Sequence, residues 1–388
     1  MLARKNLLED RARFLVALAG ITFAVCLVTI QTGIYNGFVK SSGIIIDDSS
    51  ADVWLSSKEM LNVEIAFPMP YGALRAVRKL HSVASAEALI IRAAIWRNGE
   101  NAIEPIRVVG VDPDGALFAS KNISRADALK LKAPDTAIVD AANLKALGIT
   151  GVGGHGTIDN RDVRIVALTH GTQPIISATF VFTSLESAKV YLSPPTLKGE
   201  PPPPRVSLKD RDLISYVLVK MRRYMDPALM KQLLEGTIPN SQGYTAAEMA
   251  QHTRSYWLGR TGVGFILSLG ALVGIFVGMV VVGQILYTSV SEHIKEYGTL
   301  KAMGASDWLF YRLIAMQAVI IAATGFIAGT VLCLWLAWWT STHRNTLILI
   351  TPVTALEVFA VTLAMCTIAG LFAIHRVTSV DPAIVFKA

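Results

Sequence analysis

The chain has 388 residues, of which 52% are hydrophobic and only 17% charged, with a net charge of +7. This balance exceeds what a water-soluble domain carries and points to a membrane protein. The basic excess is not gathered into an aromatic-interleaved patch, which excludes a nucleic-acid-binding module, and Cys26, Cys333 and Cys366 all fall in apolar runs, which excludes a disulfide framework.

In chain order, Arg4, Lys5, Arg11 and Arg13 precede an uncharged run over residues 14–39. About 20 apolar residues cross a bilayer. The run is longer than a signal-peptide core and has no convincing small-residue cleavage site, so it is read as a retained anchor. Residues 40–260 lose this continuous apolarity. Within them, 88–96 (ALIIRAAIW) and 106–111 (IRVVGV) read as strands flanking the turn-rich RNGEN, and 163–168 (VRIVAL) as a strand after DNRD, so hairpins are expected. Residues 71–83 place Leu74, Val77, Leu80 and His81 at helical spacing, and 140–147 and 184–192 repeat a strand-then-helix order. An α+β domain follows, large enough at roughly 220 residues for its own core and two lobes. Residues 193–205 (SPPTLKGEPPPPR) are too proline-dense for a helix or central strand and read as an exposed loop or spacer. Residues 246–260 contain no proline and are expected to run on as a stalk helix into the next span.

Three further apolar runs follow at 261–291, 313–342 and 358–374, the last preceded by LILI and by Glu357. Gly270, Gly274 and Gly278 recur every four residues and line one face of the second run, where another helix can approach closely; Gly325 and Gly329 do so in the third. The spacing leaves open whether this seam lies within one chain or between two copies. Charges are almost missing inside the runs, so nothing marks an ion path. Lys295, Lys301 and Arg312 lie between the second and third runs, Arg376 and Lys387 after the fourth, and Arg344 alone between the third and fourth. The positive-inside rule then puts both termini in the cytoplasm and residues 40–260 outside. The expected organisation is 1–39, an anchor; 40–260, an extracytoplasmic domain with stalk helices; and 261–388, three spans with a polar segment at 292–312.

Catalytic signatures are missing from the sequence. No glycine is followed by lysine, so there is no P-loop, and no HExxH, CxxC, GxSxG or paired histidine at i, i+4 occurs. GVGGHGT at 151–157 reads as a loose turn, and Asn122-Ile123-Ser124 is too common a tripeptide to count as a glycosylation site. The chain is therefore expected to be non-catalytic, with no metal or cofactor of its own.

Between the second and third runs stands SEHIKEYGTLKAMGASDWLFYRLI. It resembles the signature of the FtsX and MacB permease superfamily of ABC transporters, whose positions are filled in order by Glu296, Tyr297, Gly298, Leu300, Lys301, Ala302, Met303, Gly304, Ala305 and Ser306. The layout of spans is similar, as is the tail around Asp381, Pro382 and Ala383, and the opening stretch, with ADVWL at 51–55 and VVGVDP at 108–113, looks most like the DevC branch of exporter permeases. The resemblance implies four transmembrane helices with a MacB-like α+β domain between the first and second, and a homodimer. It implies that ATP and Mg are bound by a separate, DevA-like cytoplasmic ATPase. That partner would dock on Glu292, Lys295, Glu296, Tyr297, Gly298, Leu300, Lys301, Met303, Gly304, Ala305 and Ser306, with Gly298 and Gly304 permitting close approach and a bend. A DevB-like periplasmic membrane-fusion adaptor and an outer-membrane channel are the further implied partners. The expected function is the permease subunit of an export system; an FtsX-like regulator of an envelope hydrolase and a lipoprotein- or lipid-extracting permease are the alternatives.

Overall fold

The first apolar run folds as α1 (Arg11–Ser42), one unbroken helix of 32 residues. The computed structural model describes residues 11–100, 102–118, 122–172, 177–192, 207–223, 225–292, 299, 303–304, 306–344 and 348–378. It divides into two units, Phe38–Thr261 and Met1–Gly37 with Gly262–Ala388.

In the first of these units a single turn, α2 (Ile44–Asp47), leads into β1 (Val53–Ser57), β2 (Met69–Pro70), α3 (Gly72–Arg78), β3 (Val83–Arg97), β4 (Ile103–Val111), α4 (Arg125–Lys130), β5 (Thr136–Asp140), β6 (His155–Ile158), β7 (Arg161–Thr169), β8 (Thr179–Ser184), α5 (Leu185–Tyr191), β9 (Leu213–Ile214), β10 (Tyr216–Met221), α6 (Pro227–Thr237), β11 (Ser241–Thr245) and α7 (Ala246–Thr261). Nine strands form one sheet in the order β11-β1-β10-β3-β4-β8-β5-β7-β6, and β6 pairs back onto β3 through Trp96 and Arg97, so six of them close into a ring. The 15-residue β3 serves two lobes. Its first half pairs with β10, Tyr216 opposite Leu89, and its second half forms the expected hairpin with β4, from Ile90 opposite Gly110 to Arg97 opposite Ile103.

Side chains alternate across a strand, and here both faces are covered. Val53, Leu55, Ala88, Ile90, Val217 and Val219 enter one hydrophobic cluster, while their neighbours Trp54, Leu89, Ile91, Tyr216 and Leu218 enter a second. Strands covered on both faces read as continuous buried runs, and every residue of β1, β5 and β8 is buried. Trp96 fills the ring, its indole N–H donating to the Leu147 carbonyl at 3.0 Å. Gly156 on β6 is the residue that admits it, since a Cβ there would overlap the indole.

Three expectations change. The helix expected at 140–147 is only a 3-10 turn, Ala141–Asn143, whose leading Asp140 carboxylate accepts from Ala142 and Thr172 backbone N–H groups; Gly148 then turns the chain at φ 65°. The helix expected at 71–83 stops at Arg78, because Val83 already belongs to β3. The stalk does not run into the second span: α7 ends at Thr261, Gly262 sits at φ 63°, and a new helix begins at Val263. Only glycine takes such a φ without steric cost. The proline-dense loop expected at 193–205 lies outside the described residues.

The other unit contains, besides α1, the helices α8 (Val263–Glu292), α9 (Asp307–Arg344) and α10 (Pro352–Thr378), and these four are long and apolar enough to cross a membrane. Ile21, Ala24, Val25 and Val28 of α1 pack with Val282 and Leu286 of α8, Ile314, Ala318 and Ile321 of α9, and Met365 and Ala369 of α10. The fourth span begins earlier than its uncharged run, at Pro352, and carries the exposed Glu357 within it.

Candidate functional site

The glycines recurring every four residues meet α1 of the same chain. A Cβ on Gly270 would lie 2.6 Å from Gln31 Nε2, on Gly274 3.0 Å from Leu27 Cδ2, and on Gly278 2.7 Å from Ala24 Cβ. The glycines of α9 grip the adjoining face of α1. A Cβ on Gly325 would overlap Ile21, and one on Gly329 would lie 2.6 Å from Val25 Cγ1. Small residues let helix backbones approach and gain dispersion contact without a hydrophobic driving force. At the far end of the same seam, Asn36 Nδ2 donates to Thr354 Oγ1 at 3.0 Å, and Leu349 N–H donates to the Gly33 carbonyl at 3.0 Å. One helix is thus held by both of its neighbours at glycine faces.

α8 and α9 are also the helices that the polar segment joins. Glu292 is the exposed last residue of α8, Met303 is 72% exposed, and the Ser306 carbonyl accepts from Leu309 N–H at 2.9 Å as α9 begins. Gly304 has φ 89° and open space where a Cβ would be, so a backbone turn, rather than a close approach, accounts for glycine there. Lys295, Glu296, Tyr297, Gly298, Leu300, Lys301 and Ala305 lie outside the described residues.

In the sheet-bearing unit, Arg254 joins distant elements with no local sequence signal. Its Nε donates to the Val39 carbonyl at 3.1 Å, and its Nη2 pairs with the Asp47 carboxylate. The last carbonyls of a helix lack intrahelical donors, so Arg254 of α7 satisfies the end of α1. Gly43 leaves the space, since a Cβ there would lie 2.9 Å from the guanidinium. The two partners are 215 residues apart in sequence, a separation across which no local pattern signals.

The terminal strand β11 is closed by side chains. Gly243 N–H donates to Glu235 Oε1 at 2.9 Å and Thr245 N–H to Glu248 Oε2 at 2.8 Å, while Lys231 Nζ reaches both Glu248 oxygens at 2.9 Å. The hydrogen bond from Lys231 holds the Glu248 carboxyl below its ordinary range, and burial pushes the Tyr244 phenol up. Occupied edge donors discourage pairing with a foreign strand. Ser124, of the supposed glycosylation tripeptide, caps α4 by accepting from Asp127 N–H at 3.1 Å. Among the described residues no group of three His, Cys, Asp or Glu side chains could hold a metal. The arrangement is suited to transmitting displacement between helices.

A family model described as the MacB-like periplasmic core domain matches residues 14–236, and one described as the FtsX-like permease C-terminal matches residues 268–382. Curated relatives include uncharacterized ABC transporter permeases of Mycobacterium bovis and of Mycobacterium tuberculosis strains, each 31% identical over 114 residues, which is 28% of this chain and 30% of each relative. The chain thus spans under a third of the length of those relatives. Among solved structures it is similar to the periplasmic region of MacB from Actinobacillus actinomycetemcomitans, with 10% identity, TM-score 0.34, and coverage of 53% of this chain and 94% of that one. It is also similar to the extracellular domain of the noncanonic ABC-type transporter YknZ from Gram-positive bacteria, with 13% identity, TM-score 0.33, and coverage of 50% and 99%.

Proposed function

The chain belongs to the MacB-like periplasmic core domain family, whose model covers residues 14–236, and on that premise we propose that it is the membrane subunit of an ABC-type export system. A separate cytoplasmic ATPase, DevA-like in this reading, binds ATP and Mg and docks on residues 292–306. Its closure displaces α8 and α9, and the displacement moves the extracytoplasmic domain. A DevB-like periplasmic adaptor and an outer-membrane channel complete the path, as in the DevC branch, and two copies of the chain act together in the inner membrane with both termini cytoplasmic. Because α1 fills the glycine face of α8, the two copies meet on other surface.

One observation carries this reading: the two helices joined by the polar segment both grip α1 through glycines. A push on that segment therefore reaches α1 by direct backbone-close contact, and close-packed interiors transmit displacement with little compression. The FtsX-like match over residues 268–382 supports the same assignment of the segment.

The test purifies the tagged full chain from its native membranes in mild detergent and scores the ABC ATPase that co-purifies. Met303→Asp changes a side chain that is 72% exposed, and Glu296→Lys reverses a charge, which at an interface can cost several kcal/mol. Both variants should reach wild-type levels in the membrane and lose the co-purifying ATPase. Wild-type recovery of the ATPase with both variants would remove residues 292–306 from the docking surface.

A further inference from the structure

We propose that the groove between the start of α9 and the end of α10 is a binding site for an anionic phospholipid. The groove encloses about 370 Å³ and is lined by Trp308, Tyr311, Arg312, Ala315, Thr367, Gly370 and Leu371. Its small lining residues are the exposed Ala315 and the buried Gly370, and its large apolar ones include Trp308, 75% exposed, and Leu371, 51% exposed. That shape leaves a furrow between two helices, apolar for most of its length.

The furrow's position specifies its occupant. Tyr311 begins one apolar span, and Thr367, Gly370 and Leu371 lie near the end of another apolar run, shortly before His375 and Arg376 in the sequence, so the groove lies where hydrocarbon gives way to headgroups. Tryptophan and tyrosine favour that level because they present an apolar ring and a polar tip. Arg312 stands among them, exposed, and makes no hydrogen bond or ion pair among the described residues. Its planar guanidinium matches phosphate oxygens in two parallel bonds. An acyl chain laid along Ala315, Thr367, Gly370 and Leu371 with its phosphate on Arg312 would cover the apolar furrow and neutralise the cation together. A helix of another protein would cover the furrow but would have to bring a carboxylate to this one level to meet Arg312, whereas an anionic phospholipid carries its charge there in every molecule, so the charge favours a lipid. The inference stands apart from the ATP-driven reading, because it rests only on α9 and α10.

The experiment uses the full chain in mild detergent, stripped of lipid by exchange and titrated in native mass spectrometry with phosphatidylglycerol, phosphatidylethanolamine and phosphatidylcholine. One phosphatidylglycerol should be retained with about a tenfold preference, because the ammonium of the other two headgroups offsets the phosphate charge that Arg312 meets, and a difference of about 1.4 kcal/mol is tenfold. Arg312→Gln should abolish that preference, and Ala315→Phe, which fills the furrow and keeps the charge, should abolish retention of the lipid. Thermal midpoints equal to wild type would establish that both variants fold; if Arg312→Gln unfolds, Ala315→Phe alone decides. Equal retention of all three lipids, an unchanged preference in Arg312→Gln, or unchanged retention in Ala315→Phe would overturn the site. So would displacement of the lipid by soluble glycerol phosphate, which would make it a free-anion site. Loss of self-association in Ala315→Phe without loss of lipid would assign the groove to a second copy instead.

Discussion

Gly329→Ala adds one methyl group at the seam between α1 and α9. The new Cβ would lie 2.6 Å from Val25 Cγ1, 2.8 Å from Val25 Cβ and 3.2 Å from the Thr22 carbonyl oxygen. Comfortable carbon contacts are about 3.5–4.0 Å. Rotating Val25 relieves its methyl but not its Cβ, which is fixed to the backbone, so the helices must separate by roughly 1 Å at that point. Overpacking of this kind costs about 1–3 kcal/mol, against a gain of at most about 1 kcal/mol from replacing glycine by alanine in a helix. Gly283→Ala supplies the control. Its Cβ would meet only Ala369 Cβ at 3.8 Å, so it should be neutral or stabilising. The readout is built into the same seam, where Cys333 Sγ donates to the Cys26 carbonyl at 3.6 Å and both thiols are buried. In a Cys366→Ala background, maleimide labelling in detergent should accelerate about tenfold or more in Gly329→Ala, since 1.4 kcal/mol is a factor of ten, and stay at the starting rate in Gly283→Ala. Equal labelling of the two variants would refute the claim that α1 is gripped at Gly329.

Gly156→Ala places a Cβ inside the Trp96 indole; it should prevent ring closure and remove folded full-length protein from the membrane, whereas Gly236→Ala, in open space on α6, should leave yield unchanged. Glu248, held below its ordinary pKa by Lys231, contributes stability that is present above the unfolded carboxyl value and lost as pH falls through the folded one. At neutral pH wild type should be more stable than Glu248→Gln by a few tenths of a kcal/mol for so exposed a pair, seen as a slightly higher thermal midpoint, and the two midpoints should converge as pH falls below the ordinary carboxyl range; a difference that grows on acidification would contradict the pairing. For orientation, Val152→Cys, at an exposed position, should react with an impermeant thiol reagent in spheroplasts while Ser306→Cys does not, and the reverse pattern would invert the proposed topology.

What the sequence disclosed and what it hid divide along physical lines. Long apolar runs announce spans by composition alone, and the β3–β4 hairpin was legible because polar turn residues separate two strand-like segments. TAIVD, TFVFTS and YVLVKM, the segments of β5, β8 and β10, are weakly marked in sequence because strands buried on both faces show no alternation, and short apolar runs do not distinguish strand from helix. Ring closure through Trp96 and Ile158 joins residues more than sixty positions apart and leaves no local trace. The break at Gly262 has a signal, since glycine is the usual residue just past a helix end, and a stretch free of proline does not by itself make a helix continuous. The glycines recurring every four residues disclosed a close-packing face without disclosing what packs there. Arg254 depends wholly on tertiary structure.

β3 has a consequence for how the sheet-bearing unit can come apart and how it can be inherited. The strand supplies an edge to β10 on one side and two edges of the closed ring on the other. Neither lobe retains a complete set of backbone partners without it. Cooperative units in native proteins follow shared hydrogen-bonded elements, so the amides of Val83–Arg97 should exchange with solvent only when the entire unit opens, with no half-unfolded form in which one lobe survives. Variation by insertion is then confined to connections such as the one between β3 and β4, and a recombination event that replaced one lobe would have to bring the other with it.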